Sequence, residues 1–69
     1  MTILTTIGER LKTAREKQKL TLTQLSSKSG IARSTIESYE KDIAEPTIFR
    51  LMCICEVLNI SLDWVAKGE

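Results

Sequence analysis

Signals that start and stop helices recur along this chain at intervals too short for any long element. Thr6-Ile-Gly-Glu9 and Thr21-Leu-Thr-Gln24 read as capping boxes, in which a threonine hydroxyl takes an orphan amide of the first turn and a Glu or Gln side chain reaches back. Gly30, Asn59 and Gly68 are residue types that accept the left-handed conformation in which helices end. Apolar and polar residues never alternate for more than a few positions, so no strand is expected. The pattern leaves five short helices.

The first runs from Thr6 to about Lys19, with Ile7, Leu11 and Ala14 on one face. The second starts at Thr21, carries Leu22 and Leu25 inward and stops at Gly30. The third begins at Ala32 or Arg33 and continues to Lys41. It turns Ile36 and Tyr39 inward and Arg33, Ser34, Glu37 and Ser38 outward. Asp42 ends it, because Asp tolerates positive φ. Pro46 precedes a Thr47 cap, a fourth helix spans Ile48 to Leu58, and Ser61 caps a last one from Leu62 to Lys67. Sixty-nine residues make one domain, residues 1–69, and a domain this small has an aliphatic core when it owns one Phe, one Tyr and one Trp.

Several kinds of chemistry have no residues to carry them. Histidine is absent, and Cys53 and Cys55 stand one residue apart, which is neither a metal-ligand spacing nor a disulfide framework. Both thiols are expected to be reduced, as in the cytoplasm. No phosphate-cradling glycine loop and no metal constellation is present, so an enzyme, a cofactor and a small-molecule ligand all lack support. The N-terminus has no basic start and no long apolar run, and no stretch approaches the roughly 20 apolar residues that span a bilayer. A soluble, untargeted, cytoplasmic protein with no membrane partner is the expectation.

The net charge of +1 hides an asymmetry. Residues 10–41 hold eight basic side chains (Arg10, Lys12, Arg15, Lys17, Lys19, Lys28, Arg33, Lys41) against three acidic ones, whereas residues 42–69 hold two against five. The basic part is the first two thirds. A lysine-rich helix with a solvated face produces such an excess, and so does a surface that meets a polyanion.

Residues 21–40 decide between these. A two-turn helix, a turn Gly30-Ile31-Ala32 and a second short helix with a polar outer face form a helix-turn-helix layout. Gly30 supplies the twist, Ile31 plugs the angle, and Leu25 and Ile36 pack across it. The second helix then protrudes rigidly, with a profile that fits a major groove about 12 Å wide.

Leu20-Thr-Leu-Thr-Gln-Leu25, Gly30-Ile-Ala-Arg-Ser-Thr-Ile36, Tyr39-Glu40, Glu45-Pro46-Thr-Ile48 and Asn59-Ile-Ser-Leu-Asp-Trp64 together resemble the Cro and phage-repressor helix-turn-helix family, also called XRE-type. The resemblance covers about residues 7–68. It implies an all-α fold, a compact five-helix bundle of the lambda-repressor-like DNA-binding type. It also implies that the helix at 33–41 is the recognition helix of a homodimeric transcriptional regulator that binds a double-stranded DNA operator. Two positions depart from the family pattern. Leu22 stands where a phosphate-touching Gln is usual, and Ala32 stands where a Ser or Thr caps the recognition helix, a loss of about 1 kcal/mol.

Within that frame Arg33 is the expected base reader, because an Arg fork pairs with guanine O6 and N7. Glu37, one turn on, either accepts from cytosine N4 or orients and compensates Arg33, and Ser34 and Ser38 complete the face. Thr35, Lys41, Thr47 and Arg50 occupy helix starts and loop edges where family members hold phosphates, although Thr47 also reads as a simple cap. The resemblance makes Arg15 and Glu40 a buried ion pair of the scaffold. Trp64 reads as a core anchor.

The fourth helix is apolar on more than one side. Ile48, Leu51, Ile54, Cys55 and Leu58 account for a core stripe, and Phe49, Met52, Cys53 and Val57 form a second. The second stripe suits a homodimer interface, with the last helix around Trp64 as the other place for one. A different kind of function remains open at this point. The same layout serves as a protein-interaction module, such as the antitoxin of a toxin pair.

Overall fold

Hydroxyl side chains open four of the five helices in the computed structural model, which describes residues 6–68. Helix α1 (Ile7–Lys17) starts where the Thr6 hydroxyl accepts the Glu9 amide at 3.0 Å. Helix α2 (Leu22–Ser29) has the complete capping box. The Thr21 hydroxyl accepts the Gln24 amide at 3.0 Å, and Gln24 Oε1 accepts the Thr21 amide at 2.8 Å. Helix α3 (Arg33–Glu40) follows Ala32 without a side-chain cap. Thr47 and Ser61 cap α4 (Ile48–Leu58) and α5 (Leu62–Lys67) through the amides of Arg50 and Trp64. Gly30, Asn59 and Gly68 end their helices in the left-handed conformation, and Asp42 adopts it just beyond α3. The N-terminal stretch read for targeting signals lies mostly outside the described residues.

One boundary differs from expectation. Helix α1 stops at Lys17, not near Lys19, and Lys19 itself is left-handed at φ 60°. No glycine or proline marks this stop. Local backbone bonds make it around Lys19, the Lys19 amide donating to the Glu16 carbonyl at 2.9 Å and the Leu20 amide to the Arg15 carbonyl at 3.2 Å. The Arg15 guanidinium also holds the Leu20 carbonyl at 2.8 Å, and the Gln18 side-chain amide donates to the Leu58 carbonyl at the end of α4.

Leu11, Leu25, Ile36, Ile54, Leu58 and Val65 are the largest fully buried side chains, one or more from every helix. Helix α1 packs on α3 and α5, α2 packs on α3 and α4, and α4 packs on α5. Ile31, in the turn between α2 and α3, is buried with them. Gly8 permits the tightest approach, since a Cβ there would lie 2.4 Å from the Tyr39 carbonyl oxygen and 2.7 Å from that of Glu40. The first turn of α1 therefore rests directly on the backbone that ends α3.

Two assignments of α4 residues change. Ile48 is 63% exposed instead of joining the core stripe, because it sits in the first turn, about 60° around the helix from Leu51 and beyond the reach of the other helices. Val57 is half-buried against the core rather than part of the outer stripe. The apolar surface of α4 is thus Ile48, Phe49 and Met52, with Cys53 half-buried at its edge. Trp64 is half-buried against the core.

Candidate nucleic-acid interface

The outer face of α3 is positioned from behind. Arg15 on α1 and Glu40 at the end of α3 form a two-pronged ion pair, Nε to Oε2 at 2.8 Å and Nη2 to Oε1 at 3.1 Å, with both side chains almost wholly buried. The bond from Glu40 raises the Arg15 pKa further, so the guanidinium stays charged. Asp42 adds a second anchor, its Oδ1 accepting the Gly8 amide at 3.1 Å. Both anchors tie the C-terminal end of α3 to α1.

The turn that leads into α3 is fixed separately. Ser26 Oγ donates to the Ile31 carbonyl at 2.6 Å, and Ser29 Oγ accepts the Ile31 amide at 3.3 Å. Gly30 at φ 78° would meet nothing within 4 Å if it gained a Cβ, so the dihedral and not space requires glycine there.

What α3 presents is polar. Arg33 and Ser34 are exposed, and Thr35, Glu37 and Ser38 are half-buried. Glu37 does not compensate Arg33 through a direct bond. Its Oε2 lies 3.1 Å from Lys41 Nζ, one turn on, and this bond, with a smaller contribution from Arg33, holds its carboxyl below the usual carboxylate range. Beyond α3 the chain folds back so that the Ser38 carbonyl accepts the amides of Ile43 and Ala44 at 2.9 and 3.3 Å. Lys41, Thr47 and Arg50 are exposed along this segment. Arg50 is oriented by a bond from Nη1 to the Tyr39 hydroxyl at 3.2 Å, and the Thr47 hydroxyl is already engaged as a cap. Thr35, the fourth residue matched to a phosphate position, lies within α3 and is half-buried.

The basic excess of residues 10–41 is smaller at the surface than in the sequence. Arg15 is neutralised in its pair, and Arg10 is buried, donating from Nε to the Val65 carbonyl at 2.6 Å and from Nη2 to the Ala66 carbonyl at 3.5 Å. A cation at the C-terminal carbonyls of α5 suits the helix dipole. The partners are 55 residues apart and nothing local announces them. Of the eight, Lys12, Lys17, Lys19, Lys28, Arg33 and Lys41 remain exposed. Among the described residues no His, Cys, Asp and Glu cluster could hold a metal ion, and no helix is long and apolar enough to cross a membrane.

A short capped helix, a left-handed turn and a braced polar helix, inside five helices around one core, define a helix-turn-helix domain. The helix-turn-helix family model matches residues 11–65. The uncharacterized HTH-type transcriptional regulator YqaE of Bacillus subtilis (strain 168) is 39% identical over 62 residues, covering 90% of this chain and 53% of the relative. The immunity repressor protein of Bacillus phage phi105 is 31% identical over 64 residues, covering 93% and 44%. Among solved structures, the P22 c2 repressor in complex with a synthetic operator superposes with a TM-score of 0.89 at 27% identity, covering 96% of this chain and all of that one. This chain belongs to the helix-turn-helix family, and it spans about half the length of the curated relatives it matches.

Proposed function

We propose that this protein is a sequence-specific, double-stranded DNA-binding transcriptional regulator of the phage-repressor type, working in the cytoplasm as a homodimer on a pseudo-palindromic operator. The observation that carries the reading is the doubly anchored α3, which offers Arg33, Ser34 and Ser38 on a helix that cannot retreat. The names of its relatives and the operator complex of the P22 c2 repressor support it. Arg33 reads guanine, and Ser34 and Ser38 donate or accept at neighbouring bases. Glu37 reads cytosine N4 only by leaving Lys41. Thr35, Lys41, Thr47 and Arg50 take phosphates, using hydroxyls and cations.

Ile48, Phe49 and Met52, with Cys53, form the surface on which a second copy sits. Two recognition helices in successive major grooves lie about 34 Å apart, so half-site centres are separated by roughly 10 base pairs. The test is a gel shift against genomic fragments across a salt series. The expected result is selective retention of a few fragments, with affinity falling steeply as salt rises. Retention of a partner protein with no duplex binding at low salt would overturn the reading.

A further inference from the structure

We infer that Lys12 is a phosphate ligand in the DNA complex, supplying beside the start of α2 the contact that the Leu22 side chain has no polar atom to make; this rests on the reading above. A depression of about 140 Å³ lies between α1, the first residue of α2 and the outer flank of α3, lined by Lys12, Arg15, Leu22, Glu37, Glu40 and Lys41. Its ionisable groups are three cations and two anions. Arg15 and Glu40 cancel in the buried pair, and Lys41 and Glu37 cancel in the exposed one. Lys12 alone is left, exposed and without a hydrogen-bond or ion-pair partner among the described residues. The positive charge of the depression is therefore the charge of Lys12.

Its position matters as much as its charge. Glu37 and Lys41 belong both to this depression and to the flank of the face that α3 offers to DNA, so a duplex seated on α3 passes over the depression's mouth. Leu22 forms one wall as the first residue of α2, and its aliphatic side chain offers a passing strand no donor of its own. A lysine ammonium on a flexible stem is suited to meet it, because a phosphate needs a point charge there rather than a geometrically fixed fork.

Lys17 provides a matched control. It is exposed on the same helix but lines a different groove, with Ala14, Gln18, Ile60 and Trp64. Lys12→Ala and Lys17→Ala remove the same charge at two places, and circular dichroism verifies that both variants keep their helices. Binding to short random-sequence duplexes is then measured across a salt series. Lys12→Ala is expected to make the slope of log affinity against log salt shallower by about one unit and to weaken binding roughly eightfold in 0.1 M salt. Lys12→Arg should restore the slope and Lys17→Ala should leave it unchanged. Equal effects of Lys12→Ala and Lys17→Ala, or none from either, would overturn the role of Lys12 while leaving the DNA-binding reading intact. A wild-type protein without salt-sensitive duplex binding would overturn that reading and this inference with it.

Discussion

The carboxylate of Asp42 accepts the backbone amide of Gly8 at 3.1 Å, joining the first turn of α1 to the residue that closes α3 across 34 positions of sequence. Asp42 does two things at once, since it also takes the left-handed conformation that ends the segment. Gly8→Ala is expected to destabilise the domain by about 1–3 kcal/mol, because the added methyl meets the carbonyl oxygens of Tyr39 and Glu40, which are backbone and cannot swing aside. Urea denaturation reads this directly, and an unchanged midpoint would mean that α1 slides without cost.

Removing either partner of the buried ion pair should be costly but unequally so. Arg15→Ala strands the Glu40 carboxylate and is expected to lose about 3–5 kcal/mol. Glu40→Ala should lose less, because Arg15 keeps its bond to the Leu20 carbonyl. Replacing both by Met should recover much of the loss. Chemical denaturation of the three variants gives the ranking, and a double variant weaker than both singles would contradict it.

Base reading and phosphate holding separate by experiment. Arg33→Ala is expected to lower operator affinity by roughly 1–3 kcal/mol and to relax preference at one base pair per half-site, with little effect on random duplexes. Arg50→Ala should weaken all sequences alike and make the salt slope shallower by about one unit. Equal losses of Arg33→Ala on operator and random DNA would reassign it to the backbone.

In the proposed complex Lys41 has a second duty beside its phosphate, because it pairs with the Glu37 carboxylate on the same side of α3. Lys41→Ala should therefore weaken binding more than Arg50→Ala, and adding Glu37→Gln should recover the difference. The pH dependence follows with a definite sign. Lys41 holds the Glu37 carboxyl below its ordinary range, so the pair's contribution is present above the unfolded carboxyl pKa and is lost as pH falls through the lowered one. In Lys41→Ala, protonation of Glu37 should restore DNA affinity at a higher pH than the wild type would need. Titrated anisotropy of a labelled duplex measures both, and identical pH profiles would show that Lys41 does not hold the carboxylate.

The outer surface of α4 makes an assembly prediction. Phe49→Lys is expected to dissociate the dimer and abolish operator binding while leaving the monomer helical, since Phe49 is 71% exposed in the single chain and a symmetric interface would bury the new charge twice. Sedimentation beside circular dichroism tests this. A variant still running as a dimer would move the interface to α5 near Trp64. The two thiols offer a second readout. Burial pushes the Cys55 thiol up, so alkylation at mildly alkaline pH should modify Cys53 first, and more slowly as protein concentration favours the dimer.

Helix starts and most helix stops were legible because they are made by neighbours in sequence. Thr21 and Gln24 need only each other, and Gly30, Asp42 and Asn59 need only their own backbone freedom. The end of α1 was not legible, because the left-handed position that closes it is held by Lys19, a residue type that does not announce such a stop, and the long-range bond from Gln18 to Leu58 has no local signal. The apolar surface of α4 was half legible. Periodicity gives the angle of a side chain around a helix, but whether Ile48 or Val57 meets a neighbour depends on where the other helices stop. Charge was the least legible quantity. Arg10 counts as a surface cation in any sum over residues, yet in the fold it is a buried clasp on the carbonyls of α5. The pairing of Glu37 was missed in favour of Arg33 although Lys41 stands at the i+4 position, with the glutamate on the favourable N-terminal side.

Ala32 leaves the first amides of α3 without a side-chain acceptor, at the very end of the helix that carries Arg33. The two anchors of α3, at Glu40 and Asp42, are both at the opposite end. The head of the helix is therefore held only through the Ile31 turn, with its first amides uncapped, and hydrogen exchange in the free protein should be fastest at Arg33 and Ser34 and slower toward Tyr39. Contact with a partner that accepts those amides tightens the head, so part of the recognition enthalpy is spent on completing the helix, and a sequence that fits poorly forfeits that ordering along with its own contacts.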